Sequence, residues 1–263
     1  MNTQEFFSEL YKGVPSEKVT YCYTLPGRKC KPFAVGEMEQ LAHRAMELSA
    51  TENVYFGLHT MDHAPRPGGR ASAEEITGVA FLHGEYDVWG QGHQETRLPE
   101  TQEEVLNFLH ALEQPPSIIV SSGNGVHTYW LLEDYVAVTD DNRDNIGRIM
   151  RGHEKYTHRL AAEHGWRFDT VSDLARILRV PGTLNHKSSP PGRVEVIEAM
   201  GMKLTQEQFD RECGYRLALS IMGRLVADGL LTPKEYGRIE PILAQKFSPV
   251  WAGYPNAIRD KCA

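Results

Sequence analysis

The alternation of hydrophobic and polar residues along the chain predicts short strands that are separated by helices. Apolar runs rich in β-branched and aromatic residues, which favour strands, occupy residues 19–25, 53–58, 79–88 and 194–197. Two further strands are predicted within residues 117–130, where an apolar run stops at a Gly-Asn-Gly turn and then resumes. Because side chains alternate between the faces of a strand, we expect His127 and Tyr129 on one face and Trp130 on the other.

Apolar residues spaced by threes and fours predict helices at residues 38–48, 101–112 and 143–164. The second of these opens with Thr101 and Glu104 in the spacing of a capping box. Residues 173–180 are also expected to begin as a helix. Strands and helices thus alternate irregularly around a central hairpin, which predicts an α+β fold rather than a doubly wound α/β fold.

The pattern becomes helical throughout residues 205–247, with one break in which Gly229 can end a helix and Thr232 and Pro233 can begin the next. We therefore predict a main domain of residues 1–200 and a small all-helical appendage of residues 201–263. The appendage resembles the short C-terminal (SHOCT) domains found on many unrelated bacterial proteins. That resemblance implies an oligomer or partner contact through residues 205–247, and a helical pair folded onto the core is the alternative.

Composition places the chain among ordinary globular proteins. Its 263 residues, 41% of them hydrophobic, suffice for one large domain or a medium domain with an appendage. No apolar run approaches the roughly 20 residues of a membrane helix, and residues 1–10 lack the pattern of a secretory signal. The four cysteines form no Cys-x-x-Cys pair, which favours reduced thiols. We expect a cytoplasmic protein with no membrane partner.

The charge of the chain gives evidence both for and against binding to nucleic acid. The net charge of -7 counts against binding to phosphate backbones, which favours basic surfaces. Residues 176–193 nevertheless contain three arginines and a lysine and no carboxylate. The local charge of this segment therefore counts in favour of a phosphate-bearing ligand.

Two carboxylates, Glu85 and Asp87, lie two positions apart in the predicted strand 79–88. Such residues share a face, so their like charges are unfavourable without a cation between or beside them. Carboxylates of this kind bind the two Mg²⁺ or Mn²⁺ ions of enzymes that transfer phosphoryl groups. The alternative is that one of the two acids faces solvent at a fraying strand end.

A third polar segment, residues 168–187, combines acids with cations. Asp173 precedes Arg176 and Arg179, and a Pro-Gly turn separates these from Lys187. Arginine and lysine beside a metal-binding acid suit a nucleoside triphosphate, whose charge needs both cations and hydrogen-bond donors. The alternative is a helix-capping aspartate followed by surface arginines.

The order of these segments resembles the phage and plasmid primase–polymerases of the archaeo-eukaryotic primase superfamily. That family is marked by an acid-x-acid motif, a histidine motif on a following strand and a later single acid. The corresponding segments are Glu85-Tyr-Asp87, Ser122-Gly-Asn-Gly-Val-His127 and Asp173-Leu-Ala-Arg-Ile-Leu-Arg-Val-Pro-Gly-Thr-Leu-Asn-His-Lys187. The resemblance spans about residues 54–196. It implies an RRM-like primase catalytic core, to which the helical appendage is joined.

The resemblance also implies roles for the matching residues. Glu85, Asp87 and Asp173 would bind two Mg²⁺ or Mn²⁺ ions, with Asp169 as the competing third acid, and they would form the catalytic set together with His127. Residues that would contact the nucleotide are Ser122, Asn124, His127, Arg176, Arg179 and Lys187, and Arg70 is a further candidate. Close relatives usually have aspartate where this chain has Glu85, whose extra methylene still lets its carboxylate reach a cation.

The implied activity is DNA-templated nucleotidyl transfer, as a primase and/or DNA polymerase of a mobile element or a prokaryotic replication or repair system. Its partners would be a single-stranded DNA template, an NTP or dNTP, and a separate helicase. A replication initiator that binds nucleic acid with weakened catalysis is one alternative, which Glu85 and the net acidity favour. A metal-dependent nuclease or phosphoesterase that uses the same acids and His127 is another.

Overall fold

The computed structural model describes residues 1–66, 69–90, 95 and 97–251. The helices and strands of this part follow one another as α1 (Thr3–Leu10), β1 (Val19–Leu25), β2 (Cys30–Ala34), α2 (Met38–Leu48), β3 (Asn53–Gly57), β4 (Gly78–Asp87), α3 (Gln102–His110), β5 (Ile118–Ser121), β6 (Gly125–Ala137), α4 (Arg143–Glu163), β7 (Ile177–Arg179), β8 (Leu184–Asn185), β9 (Gly192–Arg193), β10 (Glu195–Ala199), α5 (Gln206–Ala227) and α6 (Pro233–Phe247).

Two four-stranded antiparallel sheets share a hydrophobic core. The first sheet has the order β2-β1-β3-β7 and the second has the order β10-β5-β6-β4. Phe56 of the first sheet and Tyr129 of the second belong to the same buried cluster, and Phe6 of α1 contacts both rings edge-on. Helix α1 therefore helps to hold the sheets together through aromatic packing.

The other face of the second sheet packs against helices α3 and α4. Tyr86, Val126 and Trp130 lie on that face and are buried with Val105 of α3 and Ile149 of α4. The alternation expected for β6 is confirmed, because Trp130 belongs to this core and Tyr129 to the core between the sheets. The second sheet is thus covered on both faces, which fixes the direction of each of its side chains.

The α+β fold class expected from the sequence is confirmed, with antiparallel sheets and a helical C-terminal region. The capping box of α3 is present, with the backbone N–H of Glu104 donating to Oγ1 of Thr101 at 3.2 Å. The expectation that residues 173–180 begin as a helix is wrong. Their buried apolar residues, Ile177 and Leu178, pair with β3 in the first sheet, so tertiary packing outweighs the local helical spacing.

The helices α5 and α6 form a helical hairpin, as the turn residues predict. Gly229 has the positive φ of +71° that suits a helix end, and Thr232 caps α6. The hairpin has its own small core around Tyr215 and Tyr236. It also contacts the core beside α4, since Phe209 of α5 is buried in the same cluster as Ile149, and the ring of Trp251, four residues after α6, lies 4.8 Å from that of His153 in α4. The boundary near residue 200 stays a prediction.

Within the described residues, no helix has both the length and the apolar character that crossing a membrane requires.

Candidate functional site

The ladder between β4 and β6 places the predicted acid pair and histidine on one face. Glu85 pairs with His127, and Asp87 pairs with Gly125 at the start of β6. Directly opposed residues of antiparallel strands share a face, so Glu85, Asp87 and His127 face the same side of the second sheet. Nε2 of His127 lies 3.9 Å from Oε1 of Glu85.

Arg176 links Glu85 to Asp173. Its guanidinium donates a hydrogen bond to Oε2 of Glu85, and its Nη1 lies 4.0 Å from Oδ2 of Asp173. The first sheet holds Arg176 in place, because its carbonyl oxygen accepts a hydrogen bond of 3.1 Å from the N–H of Leu58. Residues that are about 90 positions apart in the chain thus form one ion-paired group.

Arg179 adds a second, deeply buried cation. It is only 5% exposed, it pairs with Tyr55 across the first sheet, and its guanidinium lies 5.1 Å from that ring's centre. Within the described residues, Nε and Nη2 of Arg179 and Nδ1 of His127 have no hydrogen-bond partner. Buried polar groups of this kind cost about 1–3 kcal/mol each when they stay unpaired. A ligand rich in acceptor atoms, such as a phosphate, would satisfy the two arginine nitrogens.

We call Glu85, Asp87, His127, Asp173, Arg176 and Arg179 the acid–arginine site. Burial raises the pKa of Glu85, but its interactions with His127, Arg176 and Arg179 together lower this pKa overall. Burial lowers the pKa of His127 to about 4, and Glu85 reverses only part of that shift. At neutral pH Glu85 is therefore ionised, whereas His127 is neutral.

The two candidates for the third acid lie in different surroundings. Asp173 is exposed, with 56% of its side chain accessible, and it lies beside Arg176 in the turn before β7. Asp169 is exposed and lies near His158 on α4, whose pKa burial lowers and the charge of Asp169 partly restores. The chain thus brings Asp173 to the acid–arginine site and Asp169 to the surface beside α4.

The donor chemistry of the site fits a hard divalent cation, because Glu85, Asp87 and Asp173 would supply carboxylate oxygens. Within the described part of the chain, no group of three acidic, histidine or cysteine side chains forms a ready metal-binding cluster. The guanidinium of Arg176 instead lies between Glu85 and Asp173. These two acids are therefore already grouped around a positive charge. A divalent cation would likewise supply positive charge to both carboxylates.

The turn between β5 and β6 carries the candidates Ser122 and Asn124. The carbonyl oxygen of Ser122 accepts a 2.8 Å hydrogen bond from Nδ2 of Asn185, and that of Asn124 accepts one of 3.3 Å from the N–H of Val88. The turn is therefore held between the end of β4 and strand β8. Lys187 is exposed directly after β8, near this turn.

Arg70, the further candidate, is exposed on the Asp173 side of the site. Burial raises the pKa of the nearby Tyr21 hydroxyl to about 12, the charge of Arg70 opposes this shift and that of Asp173 adds to it. The same hydroxyl accepts a 3.3 Å hydrogen bond from the N–H of Ala71.

Two buried residues that the sequence does not single out hold the turn before Asp173. Glu154 of α4 accepts hydrogen bonds from the N–H groups of Val171 and Ser172 and, at 2.7 Å, from the Ser172 hydroxyl. His83, two positions before Glu85 in β4, has its Nε2 3.0 Å from the carbonyl oxygen of Val171. Strand alternation could have placed His83 beside Glu85, but no spacing connects Glu154 with residue 172.

Comparisons with known proteins bear on both parts of the chain. Residues 204–254 match the family model "SHOCT domain". Among solved structures, primase RepB' is 16% identical, covers 87% of this chain and 68% of its own, and has a TM-score of 0.53. The catalytic domain of RepB' in complex with initiator DNA is 17% identical, with 77% and 88% covered and a TM-score of 0.45.

The AEP domain of the primase–polymerase of Cyanophage S-2L is 19% identical, with 82% and 95% covered and a TM-score of 0.49. The comparison with curated proteins gave no match. We base the fold assignment on the first RepB' comparison alone, and at 16% identity it concerns the fold and not the activity. The chain therefore combines a fold similar to that of primase RepB' with a C-terminal region that matches the SHOCT domain, as the two resemblances in its sequence predict.

Proposed function

We propose that this protein is a DNA-templated nucleotidyltransferase, a primase and/or DNA polymerase, that acts with two Mg²⁺ or Mn²⁺ ions. The observation that carries the proposal is the acid–arginine site, in which the buried Arg179, with two nitrogens that have no partner among the described residues, lies within electrostatic range of an ionised Glu85. Acids that can hold cations and buried donors that can hold phosphate oxygens are the two requirements of phosphoryl-transfer sites. The primase-like fold adds support.

In this proposal each residue has a separate task. Glu85, Asp87 and Asp173 would hold the divalent cations, which neutralise the negative charge that develops on the transferred phosphoryl group. The unpaired Nε and Nη2 of Arg179 would donate to the triphosphate. His127, which is neutral at pH 7, would donate one ring N–H to a phosphate oxygen without adding a charge.

Arg176 would change partners when the substrate binds. In the described structure it neutralises Glu85 and lies beside Asp173. A divalent cation at Glu85 would compete with this guanidinium, and the triphosphate would offer it new acceptors. Ser122, Asn124 and Lys187 would contact the nucleotide from the turn and from the segment after β8.

The remaining parts of the proposal concern partners and setting. A single-stranded DNA template would bind along with the nucleotide, and a separate helicase would supply unwound template. The helical hairpin would make the oligomer or partner contact that the SHOCT resemblance implies. We also propose a cytoplasmic location, for which the three free cysteines of the described residues, Cys22, Cys30 and Cys213, are the support.

A synthesis assay on single-stranded DNA tests the proposal against its two alternatives. The full chain is incubated with Mg²⁺ or Mn²⁺, a labelled template and NTPs or dNTPs, with and without an annealed primer. Lengthened strands support a nucleotidyltransferase, and shortened strands support a nuclease. Template binding without synthesis under either metal supports an initiator. The last reading has some support of its own, because Glu85 replaces the usual aspartate and the net charge is -7.

A further inference from the structure

A cavity of about 310 Å³ lies at the end of the second sheet, directly beyond the acid pair. Its lining comprises the residues that follow β4, the turn between β5 and β6, the first residue of α3 and one residue between β8 and β9, namely Val88, Trp89, Gly90, Gln102, Gly123, Asn124, Gly125 and Ser188. Four separate parts of the chain therefore meet around it.

Trp89 distinguishes this cavity from an ordinary surface depression. Its side chain is 61% exposed, whereas Trp130 and Trp251 are buried and Trp166 is partly buried in the main core. Its backbone N–H donates a 2.8 Å hydrogen bond to the carbonyl oxygen of Pro99. An indole that is fixed at its backbone and open to solvent at its ring offers a flat surface on which another ring can stack.

The chemistry of the lining suits an uncharged ring better than a phosphate. None of the described lining residues carries an ionisable side chain. Gln102, Asn124 and Ser188 supply amide and hydroxyl groups, and the Ser121 hydroxyl orients Gln102 by donating to its Oε1 at 3.3 Å. An aromatic face beside amide and hydroxyl groups is the combination that recognises a nucleobase by stacking and by its hydrogen-bonding edge.

The position of the cavity agrees with this chemistry. Gly125, a lining residue, pairs with Asp87, and Trp89 follows Asp87 by two residues. At about 3.3 Å per extended residue, Trp89 begins within roughly 7 Å of that acid. The cations Arg176 and Arg179 adjoin Glu85 instead. A nucleotide with its phosphates at these arginines would thus direct its base toward Trp89.

We infer that Trp89 and this cavity form the nucleobase subsite of the acid–arginine site, with the indole stacking on the base. The inference rests on the proposed function, since it assumes that the site binds nucleotides. The base belongs either to the incoming nucleotide or to the DNA strand. The same stacking chemistry serves both sources, so the experiment must separate them.

The test measures binding to the full chain in Mg²⁺ without template, using tryptophan fluorescence and calorimetry. The probes are dGTP, inorganic triphosphate and an oligo-dT strand, each added alone. The variants are Trp89→Ala, Trp89→Phe and, as a control, Leu230→Ala in the helical hairpin, where the side chain is 75% exposed. Since Trp89 is also exposed, its replacement should leave the thermal unfolding temperature unchanged.

We expect dGTP to change the fluorescence of the wild type and of Leu230→Ala, and inorganic triphosphate to change neither. Trp89→Ala should weaken dGTP binding roughly tenfold, and Trp89→Phe should retain the affinity while losing the fluorescence change. Triphosphate binding should be the same in all variants. If only oligo-dT changes the fluorescence and loses affinity in Trp89→Ala, the subsite takes a base of the strand.

Three results would overturn the inference in distinguishable ways. Wild-type affinity of Trp89→Ala for both dGTP and oligo-dT would refute the nucleobase subsite and leave the proposed function intact. An equal loss of dGTP and triphosphate binding would do the same, because it would show that Trp89 does not act on the base. If the wild type binds none of the three probes, the proposed function and the subsite both fail.

Discussion

Glu154 holds the turn that presents Asp173. Its replacement should lower the free energy of unfolding more than replacement of a typical buried residue of its size. Its carboxylate is 7% exposed and accepts three hydrogen bonds, two from backbone N–H groups and one from the Ser172 hydroxyl. Glu154→Ala leaves the buried N–H groups of Val171 and Ser172 without acceptors, at about 1–3 kcal/mol each. We expect the free energy of unfolding to fall by about 4 kcal/mol.

Glu154→Gln provides the matched comparison. The amide oxygen can still accept from both N–H groups, and the Ser172 hydroxyl can rotate to accept from the amide nitrogen. Only the charge is lost, so we expect a decrease of about 1–2 kcal/mol. Glu163→Ala at the exposed end of the same helix, whose side chain is 64% accessible, should change stability by less than about 0.5 kcal/mol.

Urea unfolding monitored by circular dichroism measures all three variants, with the midpoint read at a constant slope. Stability should decrease in the order Glu163→Ala, Glu154→Gln, Glu154→Ala. A loss below about 1 kcal/mol for Glu154→Ala, or equal losses for Ala and Gln, would refute the assignment of this carboxylate as the acceptor that holds the turn.

Three further predictions follow from the described contacts. Arg176→Ala should tighten Mn²⁺ binding measured by calorimetry, because it removes the cation that pairs with Glu85. Weaker Mn²⁺ binding would contradict the proposal that Arg176 and the metal ion compete for Glu85. Burial lowers the pKa of His153 to about 3 in the folded protein. As the pH falls below about 6.5, this histidine is therefore protonated in the unfolded state but stays neutral in the folded state. The free energy of unfolding should consequently be about 2 kcal/mol lower at pH 5 than at neutral pH. His153→Phe should flatten that part of a urea-unfolding pH profile, and an unchanged slope would count against it. Gly123→Ala should lower the unfolding free energy by about 1–2 kcal/mol in urea titrations, because Gly123 has φ +87° and an added Cβ would lie 3.3 Å from Asn185; a neutral effect would contradict the described turn.

Local patterns are sufficient to predict the part of the site that lies on neighbouring strands. Strand alternation puts Glu85 and Asp87 on one face, and the Gly-Asn-Gly turn fixes where β6 begins. That the ladder sets Glu85 opposite His127 cannot be derived from alternation alone, since a shift of one residue would separate them. The order of the motifs predicts that Glu85 and His127 lie close together. The strand register places Oε1 of Glu85 3.9 Å from Nε2 of His127.

Long-range contacts account for what the sequence does not reveal. Strand β7 has three residues, and it forms because Leu178 fills the core between the sheets and Ile177 packs in the core cluster that contains Trp130, rather than through any local strand pattern. Helix α1 and strand β2 are likewise missing from the predicted elements. Helix α1 is eight residues long, so its stability comes largely from packing Phe6 and Phe7 against the sheets.

The position of Arg176 is the main feature of the site that no sequence pattern predicts. Its spacing suits a triphosphate contact, whereas in the structure it pairs with Glu85 and lies beside Asp173. This arrangement depends on the turn after Val171, which Glu154 and His83 hold from two other elements. The spacing of the acids predicts that their like charges need a cation nearby. It does not predict that the guanidinium of Arg176 is that cation.

The most direct test of the central claim compares two aspartates in the synthesis assay. Asp173→Asn removes an acid of the acid–arginine site, and Asp169→Asn removes an exposed acid four residues earlier. If Asp173 holds a catalytic cation, Asp173→Asn should lower the rate of nucleotide incorporation on single-stranded DNA on the order of a hundredfold, while Asp169→Asn should retain the wild-type rate. Wild-type synthesis by Asp173→Asn, or an equal loss in Asp169→Asn, would contradict it.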